Sequence, residues 1–140
     1  MTDLPKMIQI NEDSSVLLIN APDYYADAIK IISKYVDTKH QDNETEYDFI
    51  QIFYINSSDL RRDFPGYKKQ LARDGKLWSS WPKAKQLNTN LNLDLIIKIG
   101  YANGLVESNN IRIDDVWTSL KFTRPKPGKI YNNSHAKLIR

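Results

Sequence analysis

Apolar side chains along this chain fall into six blocks separated by turn and cap residues, and the spacing inside each block points to its element. Val16-Leu17-Leu18-Ile19 is a short continuous run ended by Asn20-Ala21-Pro22-Asp23, the pattern of a buried strand. Over residues 24–36, Tyr25, Ala28, Ile29, Ile32 and Val36 recur at helical spacing and predict an amphipathic helix. Residues 37–46 are polar without a period and read as a surface loop. In residues 47–55 (YDFIQIFYI) apolar side chains occupy both parities, as in a strand covered on both faces.

Ser57-Ser58-Asp59 can cap a helix running to about residue 73, on which Leu60, Phe64, Tyr67 and Leu71 share a face. Pro65-Gly66 interrupts it, so the pattern fits a kink or two short helices as well as one. Asp74-Gly75 stops it, and residues 76–81 form a third strand. The next helix begins near Thr89, places Leu91, Leu95, Ile96 and Ile99 on one side and stops at Asn103-Gly104. Ile111 and Ile113 then alternate with polar neighbours. After Asp114-Asp115, residues 117–123 alternate again with imperfect parity, which predicts a bulge. Pro125 and Pro127 end the folded part.

The order β-α-β-α-β-α-β-β implies an α/β fold: a small three-layer Rossmann-like sheet, mostly parallel, with helices over it and a C-terminal antiparallel edge hairpin. Residues 1–124 are expected to form one domain, of a size that can bury a substantial core, and residues 125–140 a basic tail.

Charge changes the picture only locally. The net charge is +3, but residues 124–140 hold five bases (Arg124, Lys126, Lys129, Lys137, Arg140) and no acid, leaving 15 bases against 17 acids before them. A basic tail on a slightly acidic body is a weak pointer to nucleic acid. There is no cysteine, which removes disulfides, thiolate metal sites and cysteine nucleophiles together. The N-terminal MTDLPKMIQI has no signal-peptide pattern, and no apolar run approaches the roughly 20 residues that cross a bilayer. A soluble cytoplasmic protein without a membrane partner is expected.

The runs LINAPDYYADAI (18–29), GKLWSSWPK (75–83), GLV (104–106) and DDVWTSLKF (114–122) resemble the bacterial family catalogued as domain of unknown function 3052. The resemblance spans about residues 10–124, and the combination of the Trp-Ser-Ser-Trp-Pro-Lys block with the later Asp-x-x-Trp-x-x-Leu-Lys carries it. It implies no particular activity, substrate or cofactor.

Common catalytic and cofactor motifs are missing. A dinucleotide or S-adenosylmethionine site on such a sheet usually has glycines in the first strand-to-helix turn, which here reads Asn20-Ala21-Pro22-Asp23 with no glycine and one donor lost at Pro22. Walker and GxSxG patterns are absent, so no cofactor and no hydrolase triad are assigned. His40 and His135 show no ligand spacing, and no metal is expected. Asp114-Asp115 reads as a polar hairpin turn, and Arg61, Arg62, Lys68, Lys69, Arg73 and Lys76 as a solvated basic face or a phosphate-contacting one. Trp78 and Trp117 suit a core or an interface, whereas Trp81 is the tryptophan best placed for exposure.

One constellation remains. Ligands of open parallel sheets bind beyond the carboxyl ends of the strands, and the residues there are Asn20 and Asp23, then Asn56 and Ser57, then Trp81 and Lys83. Together they suit a small polar ligand. A plainer account has Asn20 and Asp23 form a turn, Ser57 or Ser58 cap a helix, and Trp81 pack in the core.

Three readings follow. The missing glycine turn puts first a non-catalytic binding or regulatory domain, not an enzyme, with a small polar ligand or a protein as partner. The second is an enzyme, a diverged methyltransferase-like transferase, with Asp23 as acid/base and Lys83 holding an anion. The third is a nucleic-acid-associated protein that uses the basic tail.

Overall fold

The apolar runs at residues 16–19 and 49–53 lie side by side as parallel strands, with Val16 opposite Phe49 and Ile19 opposite Ile52. They belong to β1 (Ser15–Ile19) and β3 (Tyr47–Phe53) in a computed structural model that describes residues 4–39 and 44–129. The other strands are β2 (Tyr35–Asp37), β4 (Leu71–Pro82), β5 (Val106–Arg112) and β6 (Trp117–Thr123). The sheet order is β2-β1-β3-β4-β6-β5, with β6 antiparallel to both its neighbours and the other pairs parallel. The expected mostly parallel α/β sheet with an antiparallel C-terminal hairpin is therefore present.

Alternation along the strands sends side chains to two cores. On one face Val16, Leu18, Phe49, Phe53 and Trp78 pack with Ile8, Tyr25 and Ile29 of the helices α1 (Leu4–Ile8) and α2 (Asp23–Ile32). On the other, Leu17, Ile50, Ile52, Leu77 and Phe122 pack with Leu60 and Phe64 of α3 (Ser57–Gln70) and Ile96 and Ile99 of α4 (Leu93–Ala102). Each such aliphatic or aromatic side chain contributes roughly 1.5–3 kcal/mol when fully buried. Three layers result.

Several boundaries differ from the expectation. The helix foreseen to Val36 stops at Ile32, and residues 35–37 form the edge strand β2 beside β1. Val36 sits at helical spacing from Ile32, so periodicity alone could not separate the two. Asp74-Gly75 is not a helix stop: α3 ends at Gln70, and β4 starts at Leu71. Residues 71 to 76 of β4 face only residues 47 to 49 of β3, a pronounced bulge. A Cβ on Gly75 would lie 2.8 Å from Leu71 Cδ1 and 3.1 Å from the Asp48 carbonyl, so the glycine permits a close approach of strands there.

Pro65 lies within one continuous helix, exposed, where water can serve the carbonyl that its ring leaves without a donor. Asn56, rather than Ser57, caps α3, its Oδ1 accepting from Ser58 N at 2.8 Å. The helix foreseen from Thr89 begins at Leu93, capped by Asn92. Residues 83–88 before it form an irregular segment. The bulge expected in residues 117–123 falls instead in β5, between Glu107 and Asn110. The short helix α1 was not foreseen. Among the described residues, no helix is long and apolar enough to cross a membrane.

α4 touches the sheet most closely at Gly100, where a Cβ would lie 2.1 Å from the ring of Phe122, itself fully buried. Gly100→Ala is expected to destabilise the fold by about 1–3 kcal/mol or more through overpacking. Urea unfolding of both proteins checks this, and an unchanged midpoint would contradict the packing described.

Candidate ligand site at the strand carboxyl ends

β1, β3 and β4 are neighbours and all parallel, so Asn20, Tyr54 and Lys83, the residues that follow them, share one edge of the sheet. Two concavities lie along it. A crevice of about 500 Å³ opens where β1 and β3 end, between Asn20, Phe53 and Tyr54 on the sheet, Asp63 and Tyr67 on α3, and Trp117 at the start of β6. A second cavity of about 350 Å³ lies beyond β4, where Lys83 and Lys85 border it.

The six rim residues are divided between them. Asn20 and Asn56 line the crevice, and Trp81 and Lys83 line the second cavity. Asp23 and Ser57 line neither. Asp23 is the exposed first residue of α2. Ser57 is engaged with Asn90, donating from its backbone N–H to Asn90 Oδ1 at 2.8 Å and accepting from Asn90 Nδ2 at 2.9 Å. Trp81 is only 4% exposed and packs in the core, contrary to the expectation of exposure. Its place on the inward-facing side of β4, with Leu77, decides this.

α3, a basic face by its sequence, contributes Asp59, Arg62, Asp63 and Tyr67 to the crevice. Asp59, Asp63 and Tyr67 follow one another at i, i+4 spacing, which puts all three on one side of the helix. The i, i+4 spacing is present in the sequence but lies among Arg61, Arg62, Lys68 and Lys69, which mask it. Arg62 is held among them, with Nε on Asp63 Oδ1 at 2.8 Å and Nη1 on Asp59 at 3.3 Å. Exposed as it is, this pairing orients charges more than it stabilises the fold.

Below it, Tyr54 donates to Asp63 Oδ2 at 2.6 Å, and the Tyr54 and Tyr67 hydroxyls are 2.6 Å apart. Burial, with the neighbouring Asp63 carboxylate, pushes the Tyr54 hydroxyl far above its ordinary value, and burial raises Tyr67 as well. Both hydroxyls stay protonated. The apolar wall is Phe53 edge-on to Trp117, ring centres 5.1 Å apart, and to Tyr25 at 5.3 Å.

The first turn has no glycine, yet Asn20 adopts the left-handed conformation that a glycine would supply, at φ 59°. Asparagine tolerates that region better than most residues. Pro22 still removes one N–H donor. The crevice thus combines an aromatic wall with carboxylates, an arginine, amides and phenolic hydroxyls, a mixture that suits a small polar ligand.

The remaining candidates have other duties. Asp114 Oδ1 accepts from the N–H groups of Val116 and Trp117 at 2.8 and 2.7 Å, and Asp115 pairs with Arg112, so the acid pair builds the hairpin turn. Arg124 donates to the carbonyls of Lys68 and Leu71, tying the chain after β6 to the end of α3. His40, His135, Lys137 and Arg140 lie outside the described residues. Among the described residues, no three His, Cys, Asp or Glu side chains are grouped to hold a metal.

No protein-family model and no curated protein matches this chain, so the resemblance to domain of unknown function 3052 stands as an expectation from sequence. Solved structures do match. The N-methyltransferase NodS from Bradyrhizobium japonicum superposes with a TM-score of 0.63 at 12% identity, over 89% of this chain and 94% of that one. The ribosomal protein L11 methylase from Lactobacillus delbrueckii gives 0.59 at 16%, over 81% and 71%. Magnesium protoporphyrin IX methyltransferase from Synechocystis, with S-adenosylhomocysteine bound, gives 0.57 at 12%, over 80% and 74%. The fold is that of the methyltransferases.

This finding corrects the first reading from sequence. A non-catalytic binding or regulatory domain was preferred because the glycine turn is missing. The matching structures named above are methyltransferases, one of them with S-adenosylhomocysteine bound, and Asn20 makes the turn without glycine.

The buried tyrosines give the fold a signature at high pH. Tyr25, like Tyr54, is held far above its ordinary value by burial, so above about pH 10 the unfolded chain releases these protons while the folded chain keeps them. Stability is thus fully present below that pH and falls as pH rises, by about 1.4 kcal/mol per pH unit for each tyrosine. Urea unfolding between about pH 9 and about pH 11 should show a shallower decline for Tyr54→Phe than for the parent. Equal slopes would contradict a protonated Tyr54.

Proposed function

We propose that this chain is a diverged methyltransferase-like transferase whose crevice at the ends of β1 and β3 takes a ligand of the S-adenosylmethionine type. The position of that crevice carries the reading. The chain leaves β1 for β2 on one side and then returns to place β3 on the other, so the strand order reverses between β1 and β3. At such a reversal the connections depart to opposite sides and leave a gap above the strand ends, where open α/β sheets hold their ligands.

Bound there, S-adenosylmethionine supplies a methyl group carried on a sulfonium. Asp59 and Asp63, which share Arg62 as their ion-pair partner, leave one net negative charge toward the positive end of such a molecule, and the rings of Phe53 and Trp117 suit a cation or an aromatic ring. Asn20 and Asn56 contribute amides for orientation. The neutral hydroxyls of Tyr54 and Tyr67 serve as hydrogen-bond partners rather than as bases. The acid/base role first considered for Asp23 has no support in this arrangement, because Asp23 does not border the crevice. Lys83 belongs to the neighbouring cavity.

Titration of the protein with S-adenosylhomocysteine, followed by calorimetry and by thermal unfolding, tests the proposal. Binding to the folded state alone should raise stability by about 2.7 kcal/mol at a hundredfold excess over Kd. Asp63→Asn should weaken binding by about tenfold, the loss expected when one charge-assisted contact of about 1.5 kcal/mol is removed. Absence of both heat and thermal shift at millimolar ligand would overturn the proposal.

A further inference from the structure

The second cavity differs from the crevice in charge. Lys83 and Lys85 border it, and no carboxylate does. Neither lysine has an ion-pair partner among the described residues. The three asparagines in its wall have their acceptor oxygens already occupied. Asn90 Oδ1 accepts from Ser57 N, Asn92 Oδ1 from Leu95 N, and Asn110 Oδ1 from the Thr118 hydroxyl. Asn90 Nδ2 is itself engaged with Ser57 Oγ, so the amide N–H donors on offer are those of Asn92 and Asn110, and Trp81 and Leu91 add an apolar floor.

The segment that carries the lysines is also held under strain. Ala84, Lys85, Leu87 and Asn88 have φ between 54° and 60°, a region that costs a residue with a Cβ roughly 1–2 kcal/mol. Leu87 is 53% exposed, so no burial of its side chain offsets that cost. Strain of this kind persists only where the surroundings impose it. Here Lys83 N donates to the Val116 carbonyl at 2.8 Å and Gln86 Nε2 to the Asp115 carbonyl at 2.9 Å. At the far end Thr89 Oγ1 donates to the Ile55 carbonyl, and Asn90 is paired with Ser57. The strap therefore spans from the start of β6 to the chain that leaves β3, and it fixes where both lysines leave the backbone.

We propose that this cavity is an anion site, in which Lys83 and Lys85 hold the carboxylate or phosphate of a small molecule whose apolar part lies against Trp81 and Leu91. As the place of the acceptor substrate it rests on the transferase reading, whereas as an anion site it does not. The crevice with its carboxylates takes the cationic partner, and the cavity with its lysines takes the anionic one.

Amide NMR titrations with inorganic phosphate and, separately, with benzoate test this and distinguish the two anions. At constant ionic strength one of the two should shift the resonances of residues 83–92 saturably, and Lys83→Gln/Lys85→Gln should weaken that binding at least tenfold. Lys85→Gln alone, at an exposed position, gives the same readout with a smaller loss should the double variant fold poorly. Shifts that are absent for both probes, or unchanged in the variants, would overturn the proposal. Failure of S-adenosylhomocysteine to bind would leave both titrations readable, so the two proposals fail separately.

Discussion

Parallel pairing of β1, β3 and β4 is the constraint on which the rest depends. Because these strands run the same way and are adjacent, chain segments far apart in sequence (Asn20, Tyr54, Lys83) are delivered to one edge. The pairing is secured from both sides, since apolar side chains of each strand enter two separate cores. It is also pinned by a buried polar row on the α2 face. The Tyr25 hydroxyl donates to Gln51 Oε1 at 2.5 Å, Gln51 Nε2 reaches Ser80 Oγ at 3.4 Å, and Ser80 donates to Ser119 at 2.8 Å. A slip of one residue in β3, β4 or β6 would turn its member of the row to the opposite face. Each bond contributes only about 1 kcal/mol, but leaving one of the groups buried and unpaired costs about 1–3 kcal/mol. The row therefore favours one register over its alternatives.

Given that edge, the chemistry divides along it. α3 begins just beyond β3, and its Asp59, Asp63 and Tyr67 stripe faces the crevice. The segment after β4 does not enter an α-helix directly. It crosses the strand ends as a strap and places Lys83 and Lys85 on the neighbouring cavity. The crevice carries Asp59 and Asp63 beside Arg62, whereas the cavity carries Lys83 and Lys85 and no carboxylate. The methyltransferase fold supplies the platform for this arrangement, but the side chains on it are this chain's own.

Much of the architecture was legible because it rests on local signals. Continuous apolar runs at residues 16–19 and 47–55 mark strands buried on both faces, and the helices α2, α3 and α4 repeat apolar residues at helical spacing. The illegible parts depend on tertiary pairing. Residues 35–37 become a strand only because β1 offers them a free edge, and Asp74-Gly75 becomes a bulge only because β3 lies against it. The candidate site was half legible. Of the residues named by the rim rule, Asn20 and Asn56 line the crevice and Trp81 and Lys83 the second cavity, whereas Asp23 starts α2 and Ser57 is engaged with Asn90. The acidic stripe on α3 was obscured by the surrounding arginines and lysines, and the role of Asn20 by its not being glycine.

A ligand held where β1 and β3 end would be seen in a crystal of the protein grown with S-adenosylhomocysteine. Density is expected between Asn20, Asp63 and Trp117. Density at the opposite, amino-terminal edge of the sheet would contradict it.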